Sequence, residues 1–219
     1  AGHSGSSAAT REGAEQSKIY MVGNILMDTL RYNRPRLSRP DVFDCLGLKE
    51  RAYIVFTLNR KALISDRGNL ETMICAMLAK AGGVPVVAPL RKAAAGVVGD
   101  ILKSHPDMAD RMHITPPMPY TAFGYLTANA MGVVTDSGNV AEEATFNGVP
   151  CITLNNYTEH IETVTVGSNV LVGEDAEKLG TEVGRMTAGE WKKSSVPERW
   201  DGRSAERIVQ ILMERGNVI

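Results

Sequence analysis

The stretch 133–143, VVTDSGNVAEE, contains residue types that can bind a phosphorylated ligand. An apolar run ends at Asp136, and Ser137 and Gly138 then open a segment with the pattern of a helix. The first N–H groups of a helix are unpaired and its dipole favours an anion, while glycine allows a phosphate to approach the backbone. Glu143 follows along the same helix, where a carboxylate could accept both hydroxyl groups of a ribose. The pattern predicts a nucleoside diphosphate site; alternatively, Ser137 only caps the helix and the glutamates are solvated.

Basic and amide side chains follow two other apolar runs. Asn59 and Arg60 come after the run 53–58, and Arg91 comes after the run 85–90. Ligands of open parallel sheets bind outside the carboxyl ends of the strands, so these side chains could reach a diphosphate. The alternative is a solvated basic edge.

Two further candidates lie before and after the serine-glycine turn. Phe123, within the segment 115–126, could place its ring against a base, although an aromatic residue at helical spacing is more often part of a core. His160, in the polar segment after the run 150–154, could donate a hydrogen bond to a phosphate or could be an exposed histidine without a role.

Short apolar runs alternate with segments of helical period along most of the chain. The runs predicted as strands are 19–23, 53–58, 85–90, 112–115, 132–136, 150–154 and 169–173, and the predicted helices are 24–33, 69–81, 93–104, 121–130, 139–148, 175–186 and 202–216. Short apolar strands that are each followed by a helix indicate a parallel sheet covered on both faces. The predicted fold is therefore α/β and Rossmann-like.

The composition bounds the class of protein. The 219 residues are 43% hydrophobic and 22% charged. The net charge of -1 shows no excess of basic residues that would favour binding to nucleic acid. No apolar run approaches the ~18 residues that a membrane span needs. Cys45, Cys75 and Cys151 are odd in number and far apart, which argues against a disulfide framework and suits a reducing cytosol. Neither the cysteines nor the four histidines have the spacing of metal ligands, so no metal and no cofactor is predicted.

Residues 1–17 are predicted to precede the folded domain. The opening AGHSGSSAAT is small and polar, which is typical of a flexible linker or a remnant of cloning. The ordered domain is predicted over residues 18–219, ending in an amphipathic helix with Ile208 and Leu212 on one stripe.

Taken in order, the motifs resemble the C-terminal domain of the non-hydrolysing UDP-N-acetylglucosamine 2-epimerases. The matching segments are YMVGNILMDTL, YIVFTLNRKA, TDSGNVAEEATFNGVPCITL, YTEHIETVTVGSNVLVG and PERWDGRSAERIVQIL. The resemblance implies the C-terminal half of a glycosyltransferase-B fold, with UDP or a UDP-N-acetylhexosamine as the ligand. It places Ser137 and Gly138 at the phosphates, Glu143 at the ribose and the region of Phe123 at the uracil. It also implies a cytoplasmic role in cell-surface polysaccharide biosynthesis.

The sequence departs from the family pattern within these motifs. Asn59 and Arg91 stand where the family has histidines, Asn139 where it has a glycine, and His160 where it has an arginine. Asn59 can hydrogen-bond but cannot transfer a proton near neutral pH, and Arg91 can bind a phosphate but stays protonated. Asn59 is thus a catalytic candidate by position only, while Arg60, Arg91 and His160 are candidates for binding UDP.

The family's N-terminal domain, which carries the proton-transferring carboxylates, has no counterpart in these residues. The family reaction eliminates UDP to a 2-acetamidoglucal and adds it back with the opposite configuration at C2, interconverting UDP-GlcNAc and UDP-ManNAc. The chain is predicted to be the UDP-binding domain of such an isomerase, inactive alone, with the missing N-terminal domain as its partner. Two alternatives stay open: a non-catalytic or engineered domain with a degraded UDP site, and part of a hydrolysing UDP-sugar epimerase or another glycosyltransferase-B enzyme.

Overall fold

A computed structural model of the chain describes residues 3–216, and within them a six-stranded parallel sheet forms the centre of the fold. The strands are β1 (Ile54–Phe56), β2 (Val86–Pro89), β3 (Met112–Thr115), β4 (Gly132–Thr135), β5 (Cys151–Thr153) and β6 (Asn169–Leu171). Their order across the sheet is β3-β2-β1-β4-β5-β6. The order reverses between β1 and β4, whose carboxyl ends therefore flank the crevice in which such sheets bind ligands.

Helices cover both faces of the sheet. They are α1 (His3–Arg11), α2 (Ile25–Asn33), α3 (Asp41–Cys45), α4 (Lys61–Ser65), α5 (Arg67–Ala81), α6 (Lys92–Ser104), α7 (Pro106–Ala109), α8 (Tyr120–Ala128), α9 (Gly138–Phe146), α10 (Ile161–Thr165), α11 (Ala176–Thr187) and α12 (Ser204–Gly216). Ile54 and Phe56 of β1 pack in one core cluster with α5, α6 and α11, and Val55 packs in the other with α8 and α9. Because both faces of β1 are buried, its sequence is continuously apolar. The predicted fold class is confirmed.

The strand predicted over residues 19–23 is wrong, because this segment has irregular backbone structure. Gly23 has a φ of +103, and a Cβ at this position would lie 2.2 Å from the carbonyl oxygen of Arg199. The carbonyl oxygen of Val22 accepts a hydrogen bond from the guanidinium group of Arg207 at 3.1 Å. The segment therefore packs against the chain that leads into α12 instead of joining the sheet.

The leading residues form a helix, α1, where the composition predicts a flexible segment. Its Ser4 donates to the carboxylate of Glu162 from the backbone nitrogen at 2.9 Å and from the hydroxyl at 2.5 Å. This contact with α10 helps to fix a sequence that is too polar to form a core of its own. Residues 1–2 and 217–219 lie outside the described residues, and the domain boundary at residue 17 stays a prediction.

The final helix, α12, begins where its sequence pattern predicts. The carboxylate of Asp28 in α2 accepts from the backbone nitrogens of Ser204 and Ala205 at 3.0 and 2.8 Å, which satisfies two unpaired donors at the helix start. Its apolar stripe faces outward, with Val209 54% and Leu212 65% exposed. Within residues 3–216, no helix combines the length and the hydropathy that crossing a membrane requires.

Candidate functional site

Hydrogen bonds join the ends of β1 and β4 at the point where the strand order reverses. The hydroxyl oxygens of Thr57 and Thr135 lie 2.7 Å apart in the interior. Just beyond them, Oδ2 of Asp136 accepts from the backbone nitrogens of Asn59 and Arg60 at 2.7 and 2.6 Å. The two strand ends are therefore held as one rigid edge, from which the following side chains project.

The turn after β4 leaves the start of α9 open to a ligand. Ser137 is the residue before the helix, but its hydroxyl does not cap it. The alternative that Ser137 serves only as a cap is therefore wrong. Gly138 is the first residue of α9, and a Cβ there would lie 3.0 Å from Cδ2 and 3.2 Å from Nε2 of His160. The imidazole edge and the first N–H groups of the helix thus lie side by side.

Three cavities of about 400, 440 and 190 Å³ meet at Ser137, which lines all three. Seven of the eight candidate site residues line at least one of them: Asn59, Arg60, Arg91, Phe123, Ser137, Gly138 and His160. Glu143 is not among the lining residues of these cavities. The fold therefore brings seven of the candidate residues around one site, and Glu143 lies apart from them.

Glu142 and Glu143 are buried inside the fold, with 5% and 8% of their surfaces exposed. The alternative that both are solvated is therefore wrong. Oε1 of Glu142 accepts from Nδ2 of Asn24 at 2.5 Å and lies 2.9 Å from Nδ1 of His160. The carboxylate of Glu143 has no hydrogen-bond partner within residues 3–216. Burial, and secondarily the charge of Glu142, raise the pKa of Glu143 to about 7.

The two arginines at the site differ in their surroundings. Arg60 is ion-paired with Glu174 and donates from its guanidinium group to Oδ1 of Asn155 at 2.6 Å. The side-chain amide of Asn155 in turn donates to the carbonyl oxygen of Asp136 at 3.1 Å. In the described part of the chain, the guanidinium group of Arg91 has no hydrogen bond and no ion pair. The positive charge of Arg91 is therefore uncompensated, while that of Arg60 is already compensated.

Phe123 packs against the core and also lines a cavity. Its ring is partly buried and packs against the core cluster on the α8 and α9 face of the sheet. It also lines the 190 Å³ cavity together with Met118 and Val140. That cavity offers an apolar wall of the kind against which a flat base can lie. Over residues 3–216, no three His, Cys, Asp or Glu side chains form a group that could hold a metal ion.

Sequence reasoning missed several residues that organise the site. Asn155 follows β5, so the strand-end rule that led to Asn59 and Arg91 could have found it as well. Asn24 and Glu142 are separated by 118 positions, and no local pattern joins them. Their contact is visible only in the folded chain.

Comparisons with known proteins give one consistent picture. A family model described as UDP-N-acetylglucosamine 2-epimerase matches residues 6–213. The UDP-N-acetylglucosamine 2-epimerase of Methanocaldococcus jannaschii is 33% identical over 223 residues, covering 92% of this chain and 56% of that protein. The UDP-2,3-diacetamido-2,3-dideoxy-D-glucuronate 2-epimerase of Pseudomonas aeruginosa is 31% identical, covering 92% of this chain and 55% of that protein. The chain thus spans about half the length of the curated relatives it matches.

The fold is also similar to that of a solved relative. The crystal structure of the Methanocaldococcus jannaschii UDP-GlcNAc 2-epimerase in complex with UDP-GlcNAc and UDP matches with a TM-score of 0.72 and 30% sequence identity. The match covers 94% of this chain and 57% of the other. The described residues correspond to a single Rossmann-like half of that larger fold.

Proposed function

The chain belongs to the UDP-N-acetylglucosamine 2-epimerase family, and we propose that it forms the half of such an enzyme that binds UDP. One observation carries the proposal: the hydroxyl of Ser137 does not cap α9, and this hydroxyl and the start of α9 lie at a cavity of about 400 Å³. Gly138 adds no side chain between those groups and a phosphate. A solved relative that is 30% identical contains UDP-GlcNAc and UDP, which supports a uridine nucleotide as the ligand.

The remaining parts of UDP are assigned by the chemistry of the surrounding side chains. The unpaired guanidinium group of Arg91 and the imidazole of His160 would donate to the diphosphate. The ring of Phe123 would lie against the uracil. Two ribose hydroxyls would give the buried carboxylate of Glu143 the hydrogen bonds that the fold does not supply. Arg60 would act on the diphosphate only if it released Glu174.

We propose that the family reaction interconverts UDP-GlcNAc and UDP-ManNAc. In the first half, the proton on C2 is removed and the bond from C1 to the phosphate oxygen breaks, giving a 2-acetamidoglucal and UDP. In the second half, UDP adds back at C1 and a proton returns to the opposite face of C2. UDP must stay bound between these two half-reactions, and we propose that the residues of this chain hold it there.

The two side chains at the positions of the family's histidines are not suited to move the C2 proton. Asn59 has no ionisable group, and the guanidinium group of an arginine is a hydrogen-bond donor without an acceptor. We therefore propose that the carboxylates that move the C2 proton come from the half of the family fold with which this chain does not align. The chain alone would bind UDP without turning over a UDP-sugar.

The unpaired Arg91 also favours a second candidate substrate, a UDP-hexosaminuronate. A guanidinium group that has no ion pair within the fold can form a two-pronged pair with a sugar carboxylate. The similar Pseudomonas aeruginosa protein is named for a 2-epimerase acting on a glucuronate. Tighter binding of a UDP-hexosaminuronate than of UDP-GlcNAc, with the preference lost in Arg91→Gln, would support this candidate.

The cell context follows as a further proposal. The thiols of Cys45, Cys75 and Cys151 are all free, which fits a reducing compartment. We propose a cytoplasmic enzyme that supplies sugar nucleotides for cell-surface polysaccharides.

Calorimetric titration of UDP tests the proposed function, with Glu143→Ala as the comparison. Binding that weakens in Glu143→Ala supports a working UDP site with the ribose at Glu143. Absence of heat at millimolar UDP would contradict the proposal and favour a non-catalytic domain with a degraded site. An epimerase assay with and without the separately produced N-terminal half of a relative then asks whether activity requires that half.

A further inference from the structure

A buried pair of side chains holds His160 from one side. Glu142 is 5% exposed and Asn24 is 7% exposed. Asn24 and His160 contact the same carboxylate oxygen, since Oε1 of Glu142 accepts from Nδ2 of Asn24 and lies 2.9 Å from Nδ1 of His160. These three residues come from the start of α2, the middle of α9 and the segment before α10.

The donor in each of these bonds is determined by the neighbouring contacts. Oδ1 of Asn24 accepts from the backbone nitrogen of Leu26 at 3.0 Å, which leaves Nδ2 to face Glu142 as a donor. Burial raises the pKa of Glu142 above its usual value, while the nearby His160 and Asn24 oppose this rise by stabilising the ionised form. The oxygen of that ionised form can only accept, so Nδ1 of His160 carries the hydrogen in its contact with Glu142. The other ring nitrogen, Nε2, is then the only polar atom that His160 can offer to a ligand.

Nε2 of His160 is directed at the phosphate position of the proposed function. A Cβ built on Gly138 would lie 3.2 Å from Nε2 and 3.0 Å from Cδ2, so this edge of the ring lies over the first turn of α9. Of the residues that line the three cavities at Ser137, His160 is the one with an imidazole. A protonated Nε2 there would form a charge-assisted hydrogen bond with a phosphate oxygen.

We propose that Glu142 and Asn24 are positioning residues that fix His160 so that its Nε2–H donates to the phosphate oxygens of a nucleoside diphosphate at the start of α9. This inference rests on the proposed UDP site and assigns to it two residues that do not touch the ligand. With Nδ1–H directed at Glu142, Nε2 can donate only when the ring carries hydrogens on both nitrogens, so binding of the diphosphate is linked to a proton. An arginine at position 160 would keep its charge throughout.

Other titratable groups surround this arrangement. Glu159 and Asp136 line the same cavity, and Glu162 adds to the negative charge near Glu142. Glu143 titrates near neutral pH and is assigned to the ribose, so it also affects the pH dependence of binding. Comparison of variants that all retain these four carboxylates cancels their contribution.

The test measures the dissociation constant of UDP-GlcNAc between pH 6 and 8 by calorimetry. UDP-GlcNAc is suited to it because its diphosphate is esterified at both ends and lacks the terminal ionisation near pH 6. Wild type is compared with His160→Arg and Glu142→Gln. The chain offers a matched control in a second histidine–glutamate pair, since Nε2 of His105 lies 2.7 Å from Oε1 of Glu71 away from the site.

Glu142→Gln is expected to weaken binding about tenfold at pH 6, the size of one charge-assisted hydrogen bond, while Glu71→Gln leaves it unchanged. From pH 6 to 8, wild type should lose affinity relative to His160→Arg by about fivefold or more. A constant ratio across this range, or an unchanged dissociation constant in folded Glu142→Gln, would overturn the inference.

Two further outcomes keep the inference separate from the proposed function. Should Glu142→Gln fail to fold, the comparison of wild type with His160→Arg still tests donation from Nε2 of His160. Asn24→Ala, which removes the other contact of Oε1 of Glu142, then tests the positioning, and an unchanged dissociation constant in it would overturn the inference. Absence of UDP and UDP-GlcNAc binding to wild type would contradict the proposed function together with the inference. Binding of both ligands with no effect of either variant would overturn the inference only.

Discussion

Arg60, which lines the cavity beside Ser137, forms an ion pair with Glu174 that joins the end of β1 to the segment before α11. The second contact of this guanidinium group, with Oδ1 of Asn155, belongs to the same wall of the cavity. The fold therefore supplies an arginine at the proposed phosphate site together with a carboxylate that competes with the phosphate. The balance between them determines how much Arg60 contributes to binding.

Glu174→Gln is expected to tighten UDP binding by about two- to fivefold, because it removes the competing charge from a partly exposed pair. Calorimetry at low ionic strength measures the change. Glu177→Gln is the matched control, since it removes the same charge from an exposed position near the start of α11. Unchanged or weaker binding in Glu174→Gln would show that Arg60 does not reach the phosphates.

Gly138→Ala is expected to weaken UDP binding about tenfold or more without loss of stability. The new methyl group would lie 3.0 Å from Cδ2 of His160 and displace the ring from the phosphate position. The control is Gly96→Ala in α6, where a Cβ meets nothing within 4 Å and alanine stabilises a helix by about 1 kcal/mol. Equal affinity in Gly138→Ala and wild type would contradict this placement of the imidazole.

Glu143→Gln is expected to stabilise the chain at pH 8. The pKa of Glu143 rises from its usual 4.5 to about 7 in the fold, so between these values the folded state holds a proton that the unfolded chain releases. Folding stability therefore falls as pH rises from about 4.5 to 7 and stays lower above it. The difference between these two pKa values corresponds to roughly 3 kcal/mol.

Urea denaturation of wild type and Glu143→Gln at pH 8 and at pH 4.5 measures this difference. We expect a gain of up to roughly 3 kcal/mol for Glu143→Gln at pH 8 and little difference at pH 4.5. A gain of the same size at both pH values would show that the buried charge is not its cause. The buried charge of Glu143 thus lowers the folding stability, and a bound ribose can donate the hydrogen bonds that this carboxylate lacks.

Asp136→Ala is expected to destabilise the chain by about 1–3 kcal/mol, because it leaves two backbone N–H groups at the end of β1 without their acceptor. The donors are the backbone nitrogens of Asn59 and Arg60. Asp110→Ala, at an exposed aspartate, is the control in the same denaturation experiment. A loss no larger than that of the control would show that the strand ends do not depend on Asp136.

The sheet could be predicted because its strands are buried on both faces. Ile54–Phe56 and Cys151–Thr153 are short, apolar and followed by helical patterns, and the structure has them as parallel strands. The segment 19–23 has the same local pattern but is irregular, since Arg199 and Arg207 occupy the place of a neighbouring strand. Helices of four or five residues, such as Pro106–Ala109, are too short to show a helical period.

Part of the site could be predicted for a similar reason. Asn59, Arg91 and Ser137 each follow a strand, and parallel strands end at one edge of the sheet. The contact between Asn24 and Glu142 could not be predicted, because it joins two helices that are distant in sequence. The ion pair between Arg60 and Glu174 could not be predicted either, since nothing in the local sequence points to Glu174.

An NMR titration of the amide signals with UDP tests the central claim most directly. The claim is that the diphosphate binds at the first turn of α9. We expect the backbone amide signals of Ser137, Gly138 and Asn139 to shift progressively and to saturate, with smaller shifts in Ser137→Ala at the same UDP concentration. Saturating shifts confined to residues elsewhere on the chain, or no shifts at millimolar UDP, would contradict it.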